Sequence, residues 1–261
     1  MQKLYERLFS RPVFRLQDVP ALVPEWTAAT ARQRLKDLAR QGRVGRIAFG
    51  VYFLVPPGKT PETTSVDPYV VGAHLAPDAL LAYHTALELL GTAASATRVV
   101  YYISRTYRPP LVWRDIQFRQ VKPARSLARV GETRIAVATQ ERDGLPVTHT
   151  NRERTLVDCV DRLDLAGGLE ELLRSVEAWP AVDARMVLRY LNTLGKVTLF
   201  PKVGYILERF ARPWGLSESD LAPLRARVPR SAVYLADRHK PSRYVAQWRL
   251  MVPSLFVQRA T

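Results

Sequence analysis

Cysteine is nearly missing from this chain: Cys159 is the only one in 261 residues. A single thiol excludes an internal disulfide and any zinc site built from several cysteines. Long apolar runs are also missing, so no membrane-spanning helix is expected. The opening residues MQKLYERLFSRP are charged and amphipathic, with no apolar h-region. No secretory signal is read there, and the expected location is the cytoplasm. The sequence holds no GxGxxG, no Walker-type phosphate loop, no HExxH and no GxSxG elbow. His74, His84, His149 and His239 are scattered. His84 falls in an expected helix with no second histidine or cysteine at i+3 or i+4, so it reads as structural. Asp158, Asp161 and Asp164 read as a solvated helix end, and Cys159 as a small buried hydrophobe. The acidic runs Glu170-Glu171 and Glu218 to Asp220 fall on expected helices, whereas a nuclease-like site needs its acids on a strand. No catalytic residue, metal or cofactor is expected, and the chain reads as a non-enzyme.

Positive charge is abundant. Lys and Arg number 39 against 24 Asp and Glu, a net charge of +15. Residues 1–60 hold eleven basic and four acidic side chains, so the excess is densest there. A basic balance favours polyanions. The apolar fraction of 47% is ample for real cores.

The densest stretch, WTAATARQRLKDLARQGRVGRIAFGVYFL from Trp26 to Leu54, predicts a helix, a glycine stop and a hairpin. Ala28, Ala31, Leu35 and Leu38 share one helical face, and Ala29, Gln33, Lys36 and Arg40 the opposite one. Thr27 suits the N-cap and Gly42 the left-handed position past the C-terminus. Val44 to Ala48 and Val51 to Leu54 form the hairpin, turning at Phe49-Gly50. Upstream, Met1 to Phe9 predicts a helix with Leu4, Leu8 and Phe9 inward. Val13 to Leu16 predicts a short strand added to the hairpin, and Gln17 to Leu22 a second helix. This is the layout of a winged helix-turn-helix, whose third helix enters the major groove. Thr27, Thr30, Arg32 and Gln33 lie towards the start of that helix. Arg32 suits guanine and Gln33 adenine, with Thr30 beside them. Lys36, Arg43 and Arg46 suit phosphates.

The expected organisation is α+β: a winged helix-turn-helix over residues 1–57, a linker over 58–66 and a larger mixed domain over 67–261. Asp67 caps a helix to Leu75, and a second helix is expected from Asp78 to Leu90. Val99 to Ser104, Ile116 to Val121, Thr133 to Thr139 and Leu145 to Val147 read as strands. Thr150 and Glu153 fit a capping box that opens a helix to Asp161. Further helices are expected over Gly168 to Trp179, Asp183 to Leu194 and Thr198 to Arg212, with a short one opening at Ser217. Val233 to Leu235 and Tyr244 to Trp248 read as strands returning to the sheet. Lys202, Arg209, Arg238 and Lys240 form a basic set suited to an acidic partner or to more DNA.

Three stretches resemble a known family. Gly50-Val51-Tyr52 running into Pro56, the segment PVTHTNRERTLVDC from Pro146 to Cys159, and KVGYILE from Lys202 to Glu208 are similar to the AbiEi-type antitoxins of type IV toxin–antitoxin systems. These are the antitoxin half of AbiE abortive phage infection. In order and spacing the likeness covers nearly the whole chain. It implies a winged domain that binds inverted repeats in its own promoter as double-stranded DNA and represses the operon. It implies a C-terminal domain that counters a co-encoded nucleotidyltransferase toxin. Residue patterns alone leave a second reading open: a stand-alone winged-helix regulator whose C-terminal domain senses a ligand or mediates assembly.

Overall fold

A computed structural model describes residues 2–257. The chain forms two compact units, each assembled from separated segments. The first holds residues 1–81, 98–122 and 139–148; the second holds 82–97, 123–138 and 149–261. The 58–66 segment lies inside the first unit. The architecture is α+β.

The first unit begins with α1 (Gln2–Arg7), β1 (Val13–Arg15), α2 (Val19–Leu22), α3 (Ala28–Arg40), β2 (Val44–Ala48) and β3 (Val51–Leu54). Phe9 departs from its expected inward place: it is 49% exposed, and only Leu4 and Leu8 of that stripe are buried. Thr27 caps α3, its Oγ1 accepting from the Thr30 amide at 3.1 Å. Gly42, at φ +68°, ends it in the left-handed region that glycine occupies without cost. Ala31, Leu35 and Leu38 join Leu4, Leu8, Phe14, Val44 and Leu54 in one core. The strands make a three-stranded sheet, β1-β3-β2, antiparallel throughout. Gly45 is needed there, because a Cβ would stand 2.1 Å from the Phe53 ring. Phe53 in turn meets Trp113 edge-on, with ring centroids 5.6 Å apart.

A six-stranded sheet follows: β4 (Leu80–Leu81), β5 (Val99–Ile103), β6 (Leu111–Trp113), β7 (Ile116–Val121), β8 (Val137–Arg142) and β9 (Leu145–Thr150), ordered β6-β7-β5-β4-β9-β8. β5 and β7 run parallel, while β4–β5 and β6–β7 are antiparallel. α4 (Pro68–His74) packs on it, and Gly72 leaves room for Val100 and Leu81. Asp143 and Gly144 both have positive φ, the type I′ turn that matches strand twist. Two expectations change here. The helix expected from Asp78 starts only at His84, because Leu80 and Leu81 pair with Ile103 and Tyr102. The strand expected from Thr133 begins at Val137.

The second unit contains α5 (His84–Leu89), α6 (Arg125–Val130), α7 (Arg152–Asp161), α8 (Leu169–Glu177), α9 (Ala184–Leu194), α10 (Leu199–Arg209), α11 (Ala211–Trp214) and α12 (Glu218–Arg225). α7 is capped by Asn151, whose side chain accepts from the Arg154 amide at 3.0 Å. Thr150, the expected cap, is the last residue of β9, and its hydroxyl meets that of Thr155 at 2.7 Å. Leu156, Val157 and Val160 of α7 pack towards α8, α9 and α10. β10 (Val233–Tyr234), β11 (Ser242–Val245) and β12 (Leu250–Pro253) form their own three-stranded sheet, ordered β10-β12-β11. They do not return to the six-stranded sheet, because β12 supplies the partner for both of the others. Among the described residues no helix is long and apolar enough to cross a membrane.

Candidate nucleic-acid interface

The buried stripe of α3 fixes which of its residues face water. With Ala31, Leu35 and Leu38 inward, Arg32, Gln33, Lys36 and Arg40 emerge on the exposed side. Arg32 and Lys36 make no hydrogen bond or ion pair among the described residues, so their charges are available to a ligand. Gln33 is held by Asp37, its Nε2 donating to Oδ1 at 3.1 Å. Arg40 approaches the same carboxylate at 3.6 Å. The hydroxyls of Thr27 and Thr30 lie 3.0 Å apart, so both serve the helix start. Thr27 is therefore a cap first, and Thr30 is half-buried beside it.

The hairpin carries the rest. Arg46 is exposed on β2; its Nε donates to the Ala48 carbonyl at 3.3 Å and its guanidinium lies over the Phe49 ring. Phe49, at the turn, is 79% exposed. Arg43 points elsewhere, stacked 5.2 Å from the Tyr5 ring of α1. The structure thus gathers Arg32, Gln33 and Lys36 on one helix face and sets Arg46 and Phe49 at the hairpin tip. Sequence reading placed Phe49 only in the turn and did not single it out, because an aromatic in a turn usually signals packing, whereas here the ring is exposed beside Arg46. It also omitted Arg34, exposed beside Gln33.

The basic set of the second unit is divided. Lys202 is half-buried on α10, and burial pulls its ammonium below the usual lysine range. Arg209 donates to the Phe256 carbonyl at 2.9 Å. Arg238 and Lys240 are exposed in the loop between β10 and β11.

Most residues of the two signature segments are buried. Arg154 is fully buried. Its Nε meets Asp158 at 3.2 Å, and one terminal nitrogen donates to the carbonyls of Thr133 and Ile135 at 2.8 and 2.9 Å. Asp158 also accepts from the Tyr190 hydroxyl at 2.6 Å. Asp158 is thus a buried ion-pair partner rather than part of a solvated helix end. Burial pushes its carboxyl upward more than the guanidinium and the tyrosine hydroxyl draw it down. Asp161 pairs with Lys196 at 2.5 Å and Asp164 with Arg162 at 2.7 Å. Cys159 is buried, and burial raises its thiol well above the ordinary range. In the other segment, Gly204 lies under the Trp248 ring, where a Cβ would stand 2.2 Å away. Glu208 accepts from the Trp248 indole at 2.8 Å and pairs with Arg225 at 3.0 Å.

The histidines are individually employed. Burial holds His74 and His149 below the ordinary range, and each ring meets a backbone carbonyl. His84 is buried between Glu171 at 3.2 Å and Glu88 at 3.6 Å. Among the described residues no group of three or more His, Cys, Asp or Glu side chains is arranged to hold a metal ion.

Neither a scan of protein-family models nor a search of curated proteins matches this chain.

Proposed function

We propose that residues 1–57 act as a winged helix-turn-helix on double-stranded promoter DNA, and that the chain is a type IV antitoxin repressing its own operon. The observation that carries the DNA reading is the exposed face of α3. Arg32, Gln33 and Lys36 project from a helix whose opposite face is locked into the core. In this reading α3 enters the major groove, Arg32 and Gln33 meet base edges, and Lys36 meets phosphate. Arg46 and Phe49 reach the neighbouring backbone or minor groove. Gln33 must leave Asp37 to read a base, so part of the binding free energy goes to breaking that bond.

The antitoxin role rests on the resemblance carried by Pro146 to Cys159 and Lys202 to Glu208. The buried places of Arg154, Asp158 and Gly204, and the bonds that half-buried Glu208 makes to Trp248 and Arg225, support a fold-keeping role for those segments. The proposed partner is a co-encoded nucleotidyltransferase toxin in the cytoplasm. Co-expression tests this. The full chain is expected to restore growth to cells making the toxin from the adjacent gene and to lower expression from its own promoter. Failure to restore growth, with promoter repression intact, leaves a stand-alone regulator.

A further inference from the structure

The small sheet of the second unit presents an aromatic row. Tyr234 on β10 pairs with Met251 on β12, and Met251 pairs with Tyr244 on β11. Directly paired residues project to the same face, so the three side chains cross the sheet in line. Neighbouring strands lie about 4.8 Å apart, which sets the two tyrosines about 10 Å from each other. The next row, Val233, Leu250 and Val245, faces the other way, and Leu250 is fully buried. Tyr234 is 40% exposed and Tyr244 54%. Two large rings left in water on a sheet whose reverse side is core call for a ligand.

The charge around this row is one-sided. From Arg230 to Met251 the chain carries Arg230, Arg238, Lys240, Arg243 and Arg249 against Asp237 alone. All five basic side chains are exposed; Arg243 pairs with Val252 and leaves from the reverse face, while the other four lie outside the strands. Arg238 and Lys240 sit in the loop joining β10 to β11, and Arg249 precedes β12 at the opposite end of the strands. Aromatic rings on an open sheet, edged by cations at both ends, match the chemistry of unpaired nucleotides. Bases stack on the rings while phosphates meet the cations. A duplex fits poorly, because its bases are already stacked and paired within the helix. We infer that the Tyr234–Met251–Tyr244 face binds single-stranded nucleic acid, separately from the α3 surface.

The test uses the full chain and fluorescein-labelled 20-nucleotide oligothymidylate and oligouridylate, followed by anisotropy. One arm reports DNA and the other RNA; saturable, salt-sensitive binding of either is expected. The double change Tyr234→Ala and Tyr244→Ala should weaken it by between about five- and a hundredfold per ring. Tyr234→Phe with Tyr244→Phe keeps the stacking faces and should stay within about twofold. Arg238→Glu with Lys240→Glu, in an exposed loop that leaves the core untouched, should weaken binding and flatten its salt dependence. Changing Arg32, Gln33 and Arg46 to Ala should leave it unaltered. Absence of saturable binding to both oligomers overturns the inference. So does equal binding by the double alanine protein with its thermal melt intact. A concentration-dependent self-association lost in that protein, without oligomer binding, would make the row a protein interface instead.

Discussion

Gly204 carries no side chain because the Trp248 ring occupies the space one would need. That kind of reason recurs among the residues that stood out in the sequence. Arg154 and Asp158 stand at i and i+4 on α7, and Asp158 reads from the sequence as part of a solvated helix end. In the fold they are a buried pair, completed by Tyr190 from α9. No local pattern reveals a partner 32 residues away. Removing one member strands the other's charge in the core. Asp158→Ala should therefore cost about 3–5 kcal/mol in urea unfolding. Arg154→Met with Asp158→Leu should cost clearly less, because neither charge remains buried. Glu171 gives a pH signature. Burial raises its carboxyl, but hydrogen bonds from Ser95 and the nearby His84 lower it further, so it ends below the ordinary value of 4.5. Its stabilising contribution is complete above about pH 4.5 and is lost as pH falls through the lower folded-state value. Glu171→Gln should flatten the acid limb of a stability–pH curve, measured by denaturant midpoints between pH 3 and 6. An unchanged limb would contradict the role of its contacts.

At the level of elements, the long helices were legible and several of the short strands were not. α3, α8, α9 and α10 each carry enough apolar positions at helical spacing to declare a face. β4 is two residues long, β6 three and β12 four. So few residues show no period, and they are strands only because a neighbour supplies the ladder. Leu80 and Leu81 were absorbed into a helix for this reason. α7 shows the opposite error: Thr150 satisfies the capping-box spacing, yet β9 claims it and Asn151 takes the cap. The exposed face of α3 was legible because burial of Ala31, Leu35 and Leu38 dictates which side is left to solvent. What could not be read was how each side chain is occupied in the free protein, such as Gln33 on Asp37 and Arg43 on Tyr5. Arg32→Ala and Gln33→Ala should each cost about 1–3 kcal/mol at the operator and relax base preference. Arg46→Ala should weaken specific and non-specific duplexes alike. Gel-shift titrations against the operator and a scrambled duplex separate the two patterns.

For the whole molecule, sequence order and spatial grouping part company. The first unit is closed by segments drawn from three parts of the chain. Phe53 of the hairpin meets Trp113 edge-on, and Arg114 donates to the carbonyl of Thr64 at 2.5 Å. The linker expected over 58–66 rests on composition, which reports a flexible path and says nothing about the contacts at its two ends. A fragment of residues 67–261 loses β1, β2, β3 and the Phe53 ring, leaving Trp113 uncovered. Hydrogen exchange should show weaker protection in β6 and β7 of that fragment than in the full chain, with the second unit's helices unchanged. Equal protection in β6 and β7 would mean that the six-stranded sheet stands without the hairpin.

The central claim is that α3 and the hairpin hold duplex DNA, and promoter affinity across a salt series tests it most directly. The wild-type chain should bind its own promoter with an affinity that falls steeply as salt rises from 50 to 200 mM. The triple variant Arg32→Ala, Gln33→Ala, Arg46→Ala, with an unchanged thermal melt, should bind at least about a hundredfold more weakly and with a shallower salt slope. Wild-type affinity and slope in that variant would contradict the claim.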